Sequence, residues 1–206
     1  ATRSFGATVI TYDRLTESRE AIGQRIAGET GATIVPPFDD YRIMAGQGTT
    51  ALELLTSKPD LEALITPVSG GGLLAGCAVA AKNANPDIRI FGGEPELAND
   101  TYLSIQAGQR VATAPSQTIA DGLRAPQPGE LTFPILQKHV EQMLLVTEDE
   151  IRAAVRFFAT AMKLVVEPSG AVAAAAVLHK KLPAGIKSVG IVISGGNVDL
   201  DFFASL

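Results

Sequence analysis

Three consecutive glycines, Gly70-Gly71-Gly72, stand between an apolar run at 63–68 and a helix-like run at 73–81. A strand that stops at glycines and restarts as a helix leaves backbone N–H groups converging on one spot. With the positive end of the helix dipole, those donors make an anion site, most often for phosphate. A tight turn without a ligand is the plainer reading, but three adjacent glycines cost much chain entropy for a turn alone. A second group, Ser194-Gly195-Gly196-Asn197, follows the last apolar run. By itself it would read as side chains capping a turn.

The elements that must position these residues alternate. Strand-like segments fall at 7–12, 32–35, 63–67, 88–92, 143–146 and 189–193. Helices are expected at 17–29, capped by Thr16 and closed by Gly31, and at 49–57, 73–83, 131–139, 147–162 and 168–180. Thr147-Glu148-Asp149-Glu150 is a capping box, and Pro168 stands at a first helical turn. Residues 38–48 read as an irregular boundary, and 107–129 form the longest stretch without periodicity. Residues 1–6 read as a helix end capped by Gly6, so the chain is expected to lack residues that belong before Ala1. Near-continuous apolar strands between helices predict an α/β fold, a mostly parallel sheet with helices on both faces. Ligands bind outside the carboxyl ends of such strands. The glycine loop and Ser194 both lie at such ends and can share one ligand.

Composition narrows the classes. The chain has 206 residues, 46% of them apolar, and a net charge of −5. No basic patch marks nucleic-acid binding, no apolar run is long enough to span a membrane, and no signal peptide is visible. A single cysteine, Cys77, fits a reducing cytoplasm and reads as a buried structural thiol. His139 and His179 have no partner at metal-ligand spacing and read as helix-surface residues.

The loop itself admits three ligands. A nucleoside-triphosphate loop needs Lys and Ser/Thr where Cys77 and Ala78 stand. A dinucleotide fingerprint, G-x-G-x-x-A, matches Gly70 to Ala75, with Glu94 after the next strand, and would mark an NAD-type oxidoreductase. A pyridoxal phosphate cup is the third. Six segments in order carry that reading: Ala45-Gly46-Gln47-Gly48-Thr49, Pro67-Val68-Ser69-Gly70-Gly71-Gly72-Leu73, Glu94-Pro95, Thr118-Ile119-Ala120-Asp121-Gly122, Glu167-Pro168-Ser169-Gly170-Ala171 and Ser194-Gly195-Gly196-Asn197-Val198-Asp199. Together they resemble the serine racemase and threonine (serine) dehydratase family, fold-type II pyridoxal phosphate enzymes with a tryptophan synthase β-like fold.

The resemblance implies roles. Ser69, Gly70, Gly71, Gly72 and Leu73 would bind the cofactor phosphate. Ser194, with Gly195 and Asn197, would meet the pyridine nitrogen, and Glu167 would lie near the ring. A hydroxyl at that nitrogen weakens the ring as an electron sink and suits elimination of a β-hydroxyl. Glu94, Asp100 and the main-chain oxygen of Ala98 would hold Mg2+ or Ca2+; without a cation, Asp100 or Asn99 would cap a helix near Thr101. Arg19 would reach the substrate carboxylate. The Schiff-base lysine lies, in that family, ahead of the segment this chain matches, and none of the seven lysines here fits its motif. The chain is therefore expected to be the carboxyl-terminal part of a cytoplasmic homodimeric enzyme. Residues 1–38 would end a small domain, and residues 39–206 would form most of the large one. It would act on a small hydroxy amino acid and give a 2-oxo acid and ammonia, or the racemised amino acid. A non-catalytic cofactor-binding module is the rival of another class.

Overall fold

The computed structural model describes residues 2–13, 16–204 and 206, and the chain divides into two compact units, Ala1–Pro36 and Pro37–Leu206. Four strands, all in the second unit, form its sheet: β1 (Ala63–Pro67), β2 (Arg89–Pro95), β3 (Gln142–Val146) and β4 (Val189–Ile191). They pair parallel in the order β3-β2-β1-β4. Ile65 sits opposite both Phe91 and Ile191, so β1 is the central strand beside β4. Parallel strands put every carboxyl end on one rim.

Period-2 alternation divides the core between two faces. Ala63, Ile65, Phe91, Leu144 and Val146 pack with α6 (Glu148–Phe157) and α7 (Pro168–Leu178). Leu64, Ile90 and Met143 pack with α2 (Tyr41–Ser57), α3 (Gly72–Ala84) and α5 (Thr132–His139). The expected parallel sheet covered on both faces is what forms. Helix α7 is enclosed from Pro168 to Ala176, and its alanines bring it close: a Cβ on Gly93 would lie 3.3 Å from the Ala173 Cα. The Thr147 capping box opens α6, with Glu150 N–H donating to Thr147 Oγ1 at 3.2 Å and Thr147 N–H donating to Glu150 Oε2 at 2.8 Å.

Helix α2 corrects the irregular stretch expected at 38–48. It begins at Tyr41, where Asp40 Oδ1 accepts the Arg42 N–H at 2.7 Å. Gly46 and Gly48, inside that stretch, are both helical. Gly48 is required because α3 crosses there: its Cβ would come within 2.8 Å of the Gly76 carbonyl oxygen, and a Cβ on Gly76 would overlap the Met44 carbonyl. Helix α6 stops at Phe157 and passes into one π turn, Phe158–Met162, ended by Lys163 at φ 58°. Strand β4 ends at Ile191 rather than 193. Buried Cys77 is the structural thiol expected.

The first unit holds a 3-10 turn, Thr2–Phe5, closed by Gly6 at φ 85°, and α1 (Arg19–Thr30). Ala1 of the expected helix end lies outside the described residues. Ser18, not Thr16, caps α1, accepting the Ala21 N–H at 3.2 Å, and Gly31 closes it at φ 72°. The strands expected at 7–12 and 32–35 do not form. A strand is stabilised by its ladder, and neither segment joins a ladder among the described residues. No described residue of this unit is buried. In the second unit, α4 (Asp100–Ala107) follows β2, and α8 (Leu200–Ala204) lies near the end. Among the described residues, no helix is long and apolar enough to cross a membrane.

Candidate functional site

Strand β1 ends at Pro67 and α3 starts at Gly72. Gly71 between them takes φ 92°, a region open to glycine and costly for other residues. A Cβ there would also meet Thr132 Oγ1 at 2.9 Å. A Cβ on Gly70 would overlap the ring of Phe38, and one on Gly72 would lie 2.9 Å from the Phe38 Cβ. Close approach of Phe38 and Thr132 thus requires a bare backbone at all three positions.

The loop's two sets of polar groups part ways. Its carbonyls face protein: Gly70 O accepts from Thr132 Oγ1 at 2.7 Å and from Gly129 N–H at 3.1 Å, and Ser69 O accepts from Thr101 Oγ1 at 3.4 Å. The Ser69 hydroxyl accepts the Ala125 N–H at 3.1 Å. Its amides do the opposite. The first helical bond runs from Ala75 N–H to Gly71 O at 2.8 Å. Ahead of it, the N–H groups of Ser69, Gly70, Gly71, Gly72 and Leu73 donate to no acceptor among the described residues, although the three glycines are buried. Buried amides without a partner are rare. A row of them at a helix N-terminus is suited to an anion.

Ser194 rises from β4, the strand beside β1, on the same rim. Val192 N–H continues that pairing to Ile65 O at 3.0 Å. Ser194 itself is exposed. Its loop is held from α7: Glu167 Oε2 accepts the Asn197 N–H at 2.7 Å, and Glu167 N–H donates to Gly195 O at 3.1 Å. A Cβ on Gly195 would press on Glu167 Oε1 at 2.5 Å, and one on Gly170 on Gly195 O at 2.6 Å. Glu167 is therefore the residue at the α7 N-terminus, as expected, and its carboxylate is engaged by the Ser194 loop. Ser169 Oγ accepts the Gly122 N–H at 2.9 Å, bringing the Thr118–Gly122 turn to the same helix end.

Glu94 lies near the carboxyl end of β2 and is fully buried. Its Oε1 accepts the Thr101 N–H at 3.1 Å and its Oε2 the Tyr102 N–H at 2.8 Å, so Glu94 caps α4. Asp100 or Asn99 is the cap expected in the absence of a cation; Asn99 occupies the position without a side-chain bond. Burial first, then the Asp100 charge, pushes Glu94 up to about 8. Burial likewise pushes Asp100 up to about 7. Both Asp100 oxygens are buried without a hydrogen-bond partner, and the nearby Ala98 is buried too. Among the described residues, no group of three or more His, Cys, Asp or Glu side chains could hold a metal ion. Arg19, in the first unit, opens α1 and pairs with Glu20 at 2.8 Å.

Sequence reasoning passed over the residues behind the glycine loop: Phe38, Thr101, Gly129 and Thr132. Single threonines and a lone aromatic carry no periodic signal, and only the fold brings them to the loop.

A family model described as "Pyridoxal-phosphate dependent enzyme" matches residues 1–195. The chain belongs to the pyridoxal-phosphate dependent enzyme family. That membership sets aside the dinucleotide reading of Gly70 to Ala75. Among curated relatives, L-threo-3-hydroxyaspartate ammonia-lyase of Saccharomyces cerevisiae is 44% identical over the whole chain, which spans 63% of that relative. The solved structure of maize serine racemase superposes with a TM-score of 0.92 at 39% identity, over 98% of this chain and 63% of that one. A solved threonine deaminase structure, from T.th., gives 0.90 at 41% identity, over 96% of this chain and 66% of the other. The fold is that of these enzymes, and the chain spans under two thirds of the first relatives' length.

Proposed function

We propose that the protein uses pyridoxal phosphate to convert a hydroxy amino acid, L-serine or L-threonine in type, into a 2-oxo acid and ammonia, with serine racemisation as a branch. The relatives' names support this reaction class. The row of unpartnered buried amides at the glycine loop, on the rim that also carries Ser194, is the observation that carries it. The residues fit the group: a Cβ at any of the three glycines would strike Phe38 or Thr132, and five successive N–H groups match the acceptor oxygens of a phosphate.

When bound, pyridoxal phosphate supplies a sink for the electron pair left at the substrate Cα. The chain's own residues would bind and orient it. The N–H groups from Ser69 to Leu73 grip the phosphate. The Ser194 hydroxyl would meet the pyridine nitrogen; too weak an acid to keep that nitrogen protonated, it would favour loss of a β-hydroxyl. Glu167 holds Gly195 and Asn197, and through them Ser194. Arg19 takes the substrate carboxylate. Glu94, Asp100 and the Ala98 carbonyl would hold Mg2+ or Ca2+, which would compensate the buried Asp100 carboxylate. In this reading, residues 1–38 end the small domain and 39–206 form most of the large one of a homodimeric cytoplasmic enzyme.

The test supplies the natural protein with pyridoxal phosphate and, in turn, L-serine, L-threonine and L-threo-3-hydroxyaspartate. Release of 2-oxo acid and ammonia is expected from at least one, and chiral chromatography of the serine reaction reports D-serine. Formation of none of these products would overturn the assignment.

A further inference from the structure

A phosphate cup works only if its amides all point inward, and glycine, the least restrained residue, does not aim itself. What holds the Gly70–Gly71 peptide is therefore a separate question from what it binds. The Gly70 carbonyl takes two donors from one side, Thr132 Oγ1 at 2.7 Å and Gly129 N–H at 3.1 Å. This peptide is trans and planar, so its N–H points opposite to its C=O. Pulling the carbonyl toward Thr132 thus turns the Gly71 N–H away from it, to the side where no described residue accepts it. Thr132 is fully buried.

Thr132 is itself held. The Asp39 carboxylate sits at the start of α5 and accepts three successive amides there: Glu130 N–H at 2.9 Å, Leu131 N–H at 2.9 Å and Thr132 N–H at 3.3 Å. Packing of the Asp39 carboxylate against Gly129 leaves no room for a side chain there. Asp39 therefore fixes both donors that reach the Gly70 carbonyl.

We infer that Thr132, backed by Asp39, is a positioning residue that aims the Gly71 amide at the cofactor phosphate. It touches neither cofactor nor substrate, and it acts through the Gly70 carbonyl. The inference rests on the pyridoxal phosphate reading above and adds to it the device that sets phosphate affinity.

Equilibrium dialysis of the natural protein with pyridoxal 5'-phosphate and, separately, with pyridoxal tests it. Thr132→Val removes the hydroxyl and keeps the shape. It should weaken pyridoxal phosphate binding about tenfold, the scale of one hydrogen bond, and leave pyridoxal binding unchanged. Thr132→Ser should restore wild-type binding. Equal losses for both ligands, or no loss for either, would overturn the inference. A second measurement needs no variant: hydrogen exchange at the Gly71 amide should slow when pyridoxal phosphate binds and not when pyridoxal binds. An unprotected Gly71 amide would sink the inference even if Thr132→Val did not fold. Wild-type protein that binds neither ligand would instead overturn the cofactor reading itself.

Discussion

Two loops share the carboxyl-end rim of this sheet, and they are built to opposite standards. The loop after β1 is buried, and its carbonyls are gripped from behind by side chains of α4 and α5 and by the Gly129 amide. The loop after β4 is largely exposed and is held by one residue, Glu167, at the α7 N-terminus, through its carboxylate and its N–H. Binding a phosphate needs several amides fixed at once, because each misaimed donor loses its share of the interaction. Presenting one hydroxyl to a ring needs only a single anchored turn. The rigid end would thus fix affinity, and the lightly held end would tune reactivity.

That contrast is open to attack, beginning with its strongest element. Gly71→Ala should cost roughly 2 kcal/mol of stability, from positive φ and the clash with Thr132, and raise the Kd for pyridoxal phosphate about a hundredfold. Thermal melts and dialysis measure the two, and a variant with wild-type affinity would break the comparison. Glu167→Ala should lower kcat about tenfold while changing cofactor affinity by less than about threefold, since only the Ser194 loop is released. Steady-state kinetics beside dialysis would show a matched fall in both if the two loops do not divide the labour.

Buried Glu94 and Asp100 sharpen the picture from a third point on the rim. Asp100→Asn should stabilise the cation-free protein by about 1 kcal/mol, because it removes a buried charge without a partner. The same variant should erase any rise in Tm on adding Mg2+, and a rise that survives would place the cation elsewhere. The smallest effect concerns Cys77. Burial pushes its thiol up to about 11, so a thiol reagent at pH 8 should label it only after denaturation.

Much of the scaffold was legible because its signals are local and strong. Strand β1 and the Thr147 capping box stand where apolar runs and cap chemistry put them. The failures have equally definite causes. Residues 38–48 lack a periodic signal, and the need for glycine at Gly48 shows only once a second helix is seen to cross there. Residues 7–12 have strand composition, but a strand is a property of pairs. The α4 cap went to Glu94, six residues ahead of Asp100, because a buried strand end delivers it there. Within the site, the glycines and Ser194 could be picked out by type. Thr101, Thr132 and Asp39 could not, since their meaning comes from contacts across 32, 62 and up to 93 residues of chain.

The bare crossing of α2 and α3 at Gly48 and Gly76 carries a consequence for engineering. Gly76 stands about one turn beyond the first residue of α3, so a methyl group inserted there would act as a wedge under the helix that begins at the cup. Changes at a buried spot with no ligand in reach would then be transmitted as a tilt and read out as altered cofactor retention. In the proposed reading, selection for grip strength can operate on that seam without touching a single residue that the cofactor would meet.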